Sequence, residues 1–188
     1  MGKVNDPGVS RFRRTTRSAG ATRSLGERLG RLLSDGDVVA LVGELGAGKT
    51  QFVRGLCRGA GVPDAEVSSP TFAIVATYRG RLQVNHADLY RIGDDDELYA
   101  TGFHDLVGGP GATVVEWADR VPGALPAERL EIALAHDGRS PGVRHLAIAG
   151  VGPRHSALAQ ALRPGSRPPR APRRGAPPSR SSIPEGRG

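Results

Sequence analysis

The sequence predicts an α/β fold, a mixed sheet flanked by helices, in one domain between two disordered tails. Three observations carry that prediction. Apolar runs of strand length alternate with stretches of helical periodicity through the middle of the 188-residue chain. One strand-to-helix junction is rich in glycine and closes on Lys49-Thr50. The two ends of the chain lack any apolar pattern that could build a core.

Taken in order, residues 1–21 read as a disordered basic tail and residues 22–162 as the folded domain. Thr22 has the character of an N-cap, and from it Leu25, Leu29, Leu32 and Leu33 fall on one helical face. Asp35-Gly36-Asp37 ends that helix and turns the chain into Val38-Val39-Ala40-Leu41-Val42, a buried strand. After the glycine-rich junction, residues 50–57 continue as a helix, and residues 59–64 form a connection marked by glycine and proline. Residues 72–78 are rich in β-formers, and Arg79-Gly80-Arg81 turns them into a hairpin with residues 82–88. Asp94-Asp95-Asp96-Glu97 starts a short helix, with acids favoured at that end. Residues 112–117 make another buried strand, and residues 129–135 and 143–149 make two late strands around Asp137-Gly138. From Arg163 onward Pro, Arg, Ser and Gly dominate, and residues 163–188 read as a disordered tail.

The junction Gly43-Glu44-Leu45-Gly46-Ala47-Gly48-Lys49-Thr50 satisfies G-x-x-x-x-G-K-[ST] at every fixed position. It is the strongest chemical signal in the chain and refines the fold class to a P-loop NTPase-like sheet. Its glycines let successive backbone N–H groups and the helix N-terminus face a run of phosphates. Lys49 would reach the terminal phosphates, and the Thr50 hydroxyl would ligate Mg²⁺. Of 26 basic residues only Lys3 and Lys49 are lysine. A chain that otherwise uses arginine keeps a compact ammonium in the loop, where a flat guanidinium does not fit.

The formal charge of +7 suggests nucleic-acid binding until it is mapped. Residues 1–23 carry +5 and residues 163–188 carry +6, leaving −4 for residues 24–162. The tails can lend salt-sensitive attraction to polyanions, but the folded part has no basic reading surface. Cys57, the single cysteine, excludes an intramolecular disulfide and reads as a small buried hydrophobe. No apolar stretch is long enough to span a membrane and no secretory h-region is present, so the expectation is a cytoplasmic protein.

A phosphate loop needs a carboxylate near its metal, and in open α/β sheets such groups end strands. Glu116 closes an apolar strand, where a carboxylate is costly unless it meets a cation or hydrogen bonds. Asp88 ends a strand that Asn85 and His86 interrupt, and His86 reads as structural. Thr71, after Ser68-Ser69-Pro70, is ordinary turn chemistry by residue type alone. Trp117 reads as packing, and Arg54 and Arg91 as solvated.

The loop together with Ser69-Pro70-Thr71-Phe72, His86-Ala87-Asp88-Leu89-Tyr90-Arg91 and Val115-Glu116-Trp117 resembles one family, the bacterial TsaE (YjeE) ATPases of tRNA threonylcarbamoyladenosine synthesis. The resemblance runs over residues 22–150. It implies a small ATPase, using ATP and Mg²⁺, that works with the protein subunits TsaB and TsaD and reaches tRNA only through that complex. It implies that residues 44–50 hold the phosphates, that Thr50 and Glu116 bind Mg²⁺, and that Asp88 lies near the metal or the attacking water. It places Thr71 in a switch-like segment and Thr22 by the base. A late arginine also belongs near the nucleotide; Arg139 is taken into the binding set, with Arg144 as the alternative. The chain departs from the family pattern at Ala87, Ala118 and the tail from Arg163. Two other readings compete: a small-molecule kinase, weakened by the lack of an Arg-rich lid before Glu116, and a nucleotide-gated assembly factor with little turnover.

Overall fold

The computed structural model describes residues 9–63, 67 and 74–166. The chain runs β1 (Val9–Thr16), α1 (Ala19–Gly30), β2 (Val38–Val42), α2 (Lys49–Gly59), β3 (Val75–Tyr78), β4 (Val84–Asp88), α3 (Asp95–Ala100), α4 (Phe103–Leu106), β5 (Ala112–Glu116), β6 (Leu130–His136), β7 (Arg144–Val151) and α5 (Pro153–Ala161). The strands form one seven-stranded sheet in the order β1-β7-β6-β2-β5-β4-β3. β2 pairs in parallel with both β5 and β6, and β4 in parallel with β5. β3, β7 and β1 add antiparallel edges. The sheet is mixed, as the sequence predicts.

β2 forms because Val38-Val39-Ala40-Leu41 is buried on both faces, and β-branched residues suit such a central strand. On one face Val39 and Leu41 meet Leu29 of α1 and Phe52 and Leu56 of α2 in the larger core, which Leu158 and Leu162 extend beneath β6 and β7. On the other face Leu98 of α3 and Phe103 of α4 cover Ala40, Ala87 and Val115. The Asp94 side chain caps α3 by accepting from the Glu97 N–H at 2.9 Å, so the acidic run does start a helix. Past α4 that face stays open over β6 and β7, as a groove of about 660 Å³ floored by Ala133, Ala147 and Ala149.

α1 and α2 meet through two glycine pairs of identical spacing. A Cβ on Gly26 would lie 2.1 Å from the Phe52 carbonyl oxygen, and one on Gly30 2.0 Å from that of Leu56. Reciprocally, a Cβ on Gly55 would lie 1.9 Å from the Arg23 oxygen, and one on Gly59 2.1 Å from that of Glu27. The two backbones are in contact, which no larger residue permits. This holds the start of α1 against the start of α2.

Three expectations need correction, and one helix had no expectation at all. Residues 9–21 are no disordered tail: Val9–Thr16 is an edge strand paired with β7 along its whole length. It escapes a hydrophobic reading because most of it is only partly buried, with Arg11, Arg13 and Thr15 exposed, so the backbone ladder and the Arg14 guanidinium bond to the Leu162 carbonyl (2.7 Å) hold it. Thr22 does not cap α1; Ser18 does, accepting from the Ala21 N–H at 3.0 Å. Residues 153–161, which carried no helical expectation, form α5, started by Pro153 at the first turn. At the C-terminal boundary, Arg163 donates to the Arg11 carbonyl (3.0 Å) and Arg28 to the Ser166 hydroxyl (3.0 Å), so packing continues past residue 162.

Candidate functional site

The site lies where β2, β4 and β5 end beside the N-terminus of α2. β2 delivers the chain at Val42 into the loop, whose glycines adopt conformations closed to other residues. Gly43 has φ 142°, and a Cβ there would sit 2.2 Å from the Leu134 carbonyl oxygen. Gly48, the residue before α2, has φ 103°. The curl brings Lys49 Nζ back to donate to the carbonyls of Gly43 (2.5 Å) and Glu44 (3.0 Å). The same ammonium lies 3.5 Å from the centre of the Trp117 ring. Burial lowers the Lys49 pKa, opposed by the charges of Glu116, Asp88 and Asp119.

Register sets the carboxylates. Asp88 and Glu116 are cross-strand partners at the ends of β4 and β5. Glu116 is 2% exposed and uses both oxygens: Thr50 Oγ1 donates to Oε2 at 3.2 Å, and His86 Nε2 lies 3.0 Å from Oε1. Asp88 Oδ1 accepts from the Tyr90 N–H at 3.0 Å. Asp88 and Glu116, together with the loop, Tyr90 and Trp117, wall a cleft of about 500 Å³. Trp117 has φ 59°, a conformation that costs a bulky residue on the order of 1–3 kcal/mol and that accompanies the ring's place over Lys49.

A smaller pocket of about 150 Å³ adjoins the loop on its other side, between Thr22, Gly48, Gln51, Gly142 and Arg144. Arg144 Nε donates to the Ala47 carbonyl at 3.0 Å, and its Nη2 to that of Gly46 at 3.3 Å. Buried Thr22 shares a 2.7 Å hydrogen bond with the Thr16 hydroxyl and donates to the Ser18 carbonyl at 3.2 Å.

A family described as "Threonylcarbamoyl adenosine biosynthesis protein TsaE" matches residues 16–145. This chain belongs to the TsaE family. It is 43% identical over 123 residues to the tRNA threonylcarbamoyladenosine biosynthesis protein TsaE of Treponema pallidum, covering 65% of this chain and 90% of that one. Against the TsaE of Bacillus subtilis the identity is 36% over 142 residues, covering 75% and 87%. The crystal structure of Bacillus subtilis YdiB superimposes with a TM-score of 0.67 at 30% identity, over 82% of this chain and 95% of that one. The match begins at Thr16 and so takes in the whole of α1.

Within this TsaE fold the residues expected from sequence largely converge. Gly46, Ala47, Gly48, Lys49, Thr50, Asp88 and Glu116 line one cleft, with Leu45 exposed at the loop tip. Thr22 lines the smaller pocket beside Gly48 and Arg144. Of the two late arginines, Arg144 is the one bonded to the loop, while Arg139 lies in the β6–β7 turn, where its backbone N–H donates to Asp137 Oδ1 (2.9 Å). β7 begins at Arg144, which lines the smaller pocket with Gly46 and Gly48, whereas Arg139 lies five residues earlier in the turn and is absent from that lining. Thr71 and the segment Ser69-Pro70-Thr71-Phe72 lie outside the described residues. Two residues read as structural, His86 and Trp117, touch the site directly. The available signal was position: His86 is two residues before Asp88 on one strand face, and Trp117 follows Glu116.

The residues fit a magnesium nucleotide. A hydroxyl and a carboxylate 3.2 Å apart are hard oxygen donors, and Mg²⁺ takes one or two such groups together with substrate phosphates and water. No group of three or more His, Cys, Asp or Glu that could hold a metal alone occurs among the described residues. Among those residues no helix is long and apolar enough to cross a membrane.

Proposed function

We propose that this chain takes part in threonylcarbamoyladenosine formation as an ATPase of the cytoplasm. In this reading it binds and hydrolyses MgATP to drive turnover of the TsaB–TsaD complex, which modifies adenosine at position 37 of ANN-decoding tRNAs. The observation that supports it best is the Thr50–Glu116 contact at the start of α2. It sets a buried carboxylate where the loop N–H groups and Lys49 would gather a triphosphate. Two negative groups share that place only with a cation between them.

The residues then divide the work. Residues 44–50 cradle the phosphates, and Lys49 exchanges the carbonyls of Gly43 and Glu44 for phosphate oxygens. Thr50 and Glu116 would hold Mg²⁺, which supplies charge neutralisation of the terminal phosphates. Asp88, which accepts from the Tyr90 N–H, would accept a hydrogen bond from water entering the cleft. Thr22, Gln51 and Arg144 frame a second pocket that would take part of the nucleoside.

The test is phosphate release from ATP by the protein alone and with TsaB–TsaD, beside Lys49→Ala and Glu116→Ala. Low activity alone, stimulated by the partners and lost in both variants, supports the reading. Phosphate transfer to a metabolite without any partner effect would establish a kinase instead.

A further inference from the structure

We propose that His86 is a positioning residue that aims Glu116 at Thr50. The inference rests on the magnesium-nucleotide reading of the cleft and assigns a task to a side chain outside the loop.

His86 is fully buried, 0% exposed, in the middle of β4. It is the register partner of Val114 and so a diagonal neighbour of Glu116 on the same sheet face. Apart from the two carboxylates, Val84 before it and Val114 across from it are both 1% exposed or less, and the Tyr78 ring centre lies 6.2 Å away. An aliphatic residue would pack there without the cost of burying an imidazole. What the imidazole adds is one hydrogen bond, from Nε2 to Glu116 Oε1 at 3.0 Å. Its other nitrogen, Nδ1, is buried with no hydrogen-bond partner among the described residues. The bond to Glu116 is therefore the one polar task the ring performs within that set.

The consequence falls on Oε2. A carboxylate turns about its last bond, and a single contact with the Thr50 hydroxyl leaves that rotation open. Pinning Oε1 from behind fixes the plane, so that Oε2 faces Thr50 and the cleft. Groups that hold a ligating carboxylate in this way commonly change metal affinity by about 10–100-fold when removed. Asp88, one register pair further out on the same face, projects into the cleft itself, so β4 serves the site twice.

The experiment measures ADP affinity by calorimetry, with and without Mg²⁺, for the full chain and for His86→Leu, His86→Gln and His86→Asn. In His86→Leu the Mg²⁺ concentration needed for tight ADP binding is expected to rise about 10–100-fold, with metal-free ADP affinity unchanged. Gln can place an N–H where Nε2 stands and is expected to recover most of the Mg²⁺ response. Asn places its nitrogen near Nδ1 and is expected not to. If His86→Leu does not fold, the Gln and Asn pair decides the matter alone. Equal Mg²⁺ responses in all folded variants would overturn the proposal and leave His86 a packing residue. A wild-type chain whose ADP affinity ignores Mg²⁺ would overturn the metal reading itself, and this proposal with it.

Discussion

Lys49 makes the site legible at the level of single residues. Its ammonium is bound to two loop carbonyls and stacked on Trp117, and to reach phosphates it must leave at least the carbonyls. Trp117 is the only tryptophan, so the intrinsic emission reports on that one place. Nucleotide addition is expected to change its intensity, and Lys49→Ala to remove the change without altering the folded far-UV signal. An emission indifferent to saturating nucleotide would show that Lys49 keeps its present contacts. A second residue-scale prediction concerns His155, whose Nε2 accepts from the Val38 N–H at 3.3 Å. Burial lowers its pKa, against the pull of Asp37 and Glu128. The folded protein thus favours the neutral ring, and the unfolded chain binds more protons once pH falls to about 6.5. This contribution is whole above that pH and is lost as pH falls through the lowered folded value. Urea unfolding at pH 7.5 and 5.5 is expected to show a smaller acid loss in His155→Gln, which keeps an acceptor but does not titrate.

Between elements, the contact of α1 with α2 decides where the loop helix stands. Gly55→Ala would gain helix propensity of about 1 kcal/mol. It would also press a Cβ onto the Arg23 carbonyl 1.9 Å away, so the net effect is expected to be destabilising by about 1–3 kcal/mol or more. Gly20→Ala is the control, because a Cβ there meets only the Ser18 hydroxyl at 3.7 Å. Thermal melts are expected to separate the two, Gly55→Ala falling and Gly20→Ala holding or rising. Equal melting temperatures would mean that the helices can part without cost. The spacing Gly26-x-x-x-Gly30 and Gly55-x-x-x-Gly59 stood in the sequence, but glycine there lowers helix propensity, and only the packed pair reveals why it is present. A second clasp joins α5 to the turn before β2: Arg154 Nη2 and Nε bind the two Asp37 oxygens at 2.6 and 2.9 Å. The paired carboxylate raises the Arg154 pKa.

For the whole molecule, the charge map separates a mildly acidic domain from basic ends. Val9–Thr16 completes the sheet, and Arg163 and Ser166 dock on β1 and α1, so the structural unit extends on both sides of the span 22–162 expected from sequence. Removing residues 167–188 is expected to leave melting temperature and nucleotide affinity unchanged. Ending the chain at Leu162 is expected to lower stability, because the Arg163 and Ser166 contacts go with it. A large loss on the first truncation would give those last residues a structural role. Cys57 illustrates a reading that needed no correction, since it is 0% exposed on the buried face of α2 and its burial pushes the thiol up to about 12.

The sequence by itself determined the α/β class, the glycine-rich strand-to-helix loop closing on Lys49 and Thr50, the hairpin at Arg79–Arg81, and Glu116 as a carboxylate at a strand end. Each of these is written in neighbouring residues, as a motif, a period or a turn. Tertiary structure decided the rest. It recruited an edge strand too polar to show an apolar period and placed Arg144 rather than Arg139 on the loop. It turned Trp117 over Lys49 and set His86 behind Glu116. The reason is the same in each case: the interacting groups lie on different strands or loops, and only register and packing bring them within reach of one another.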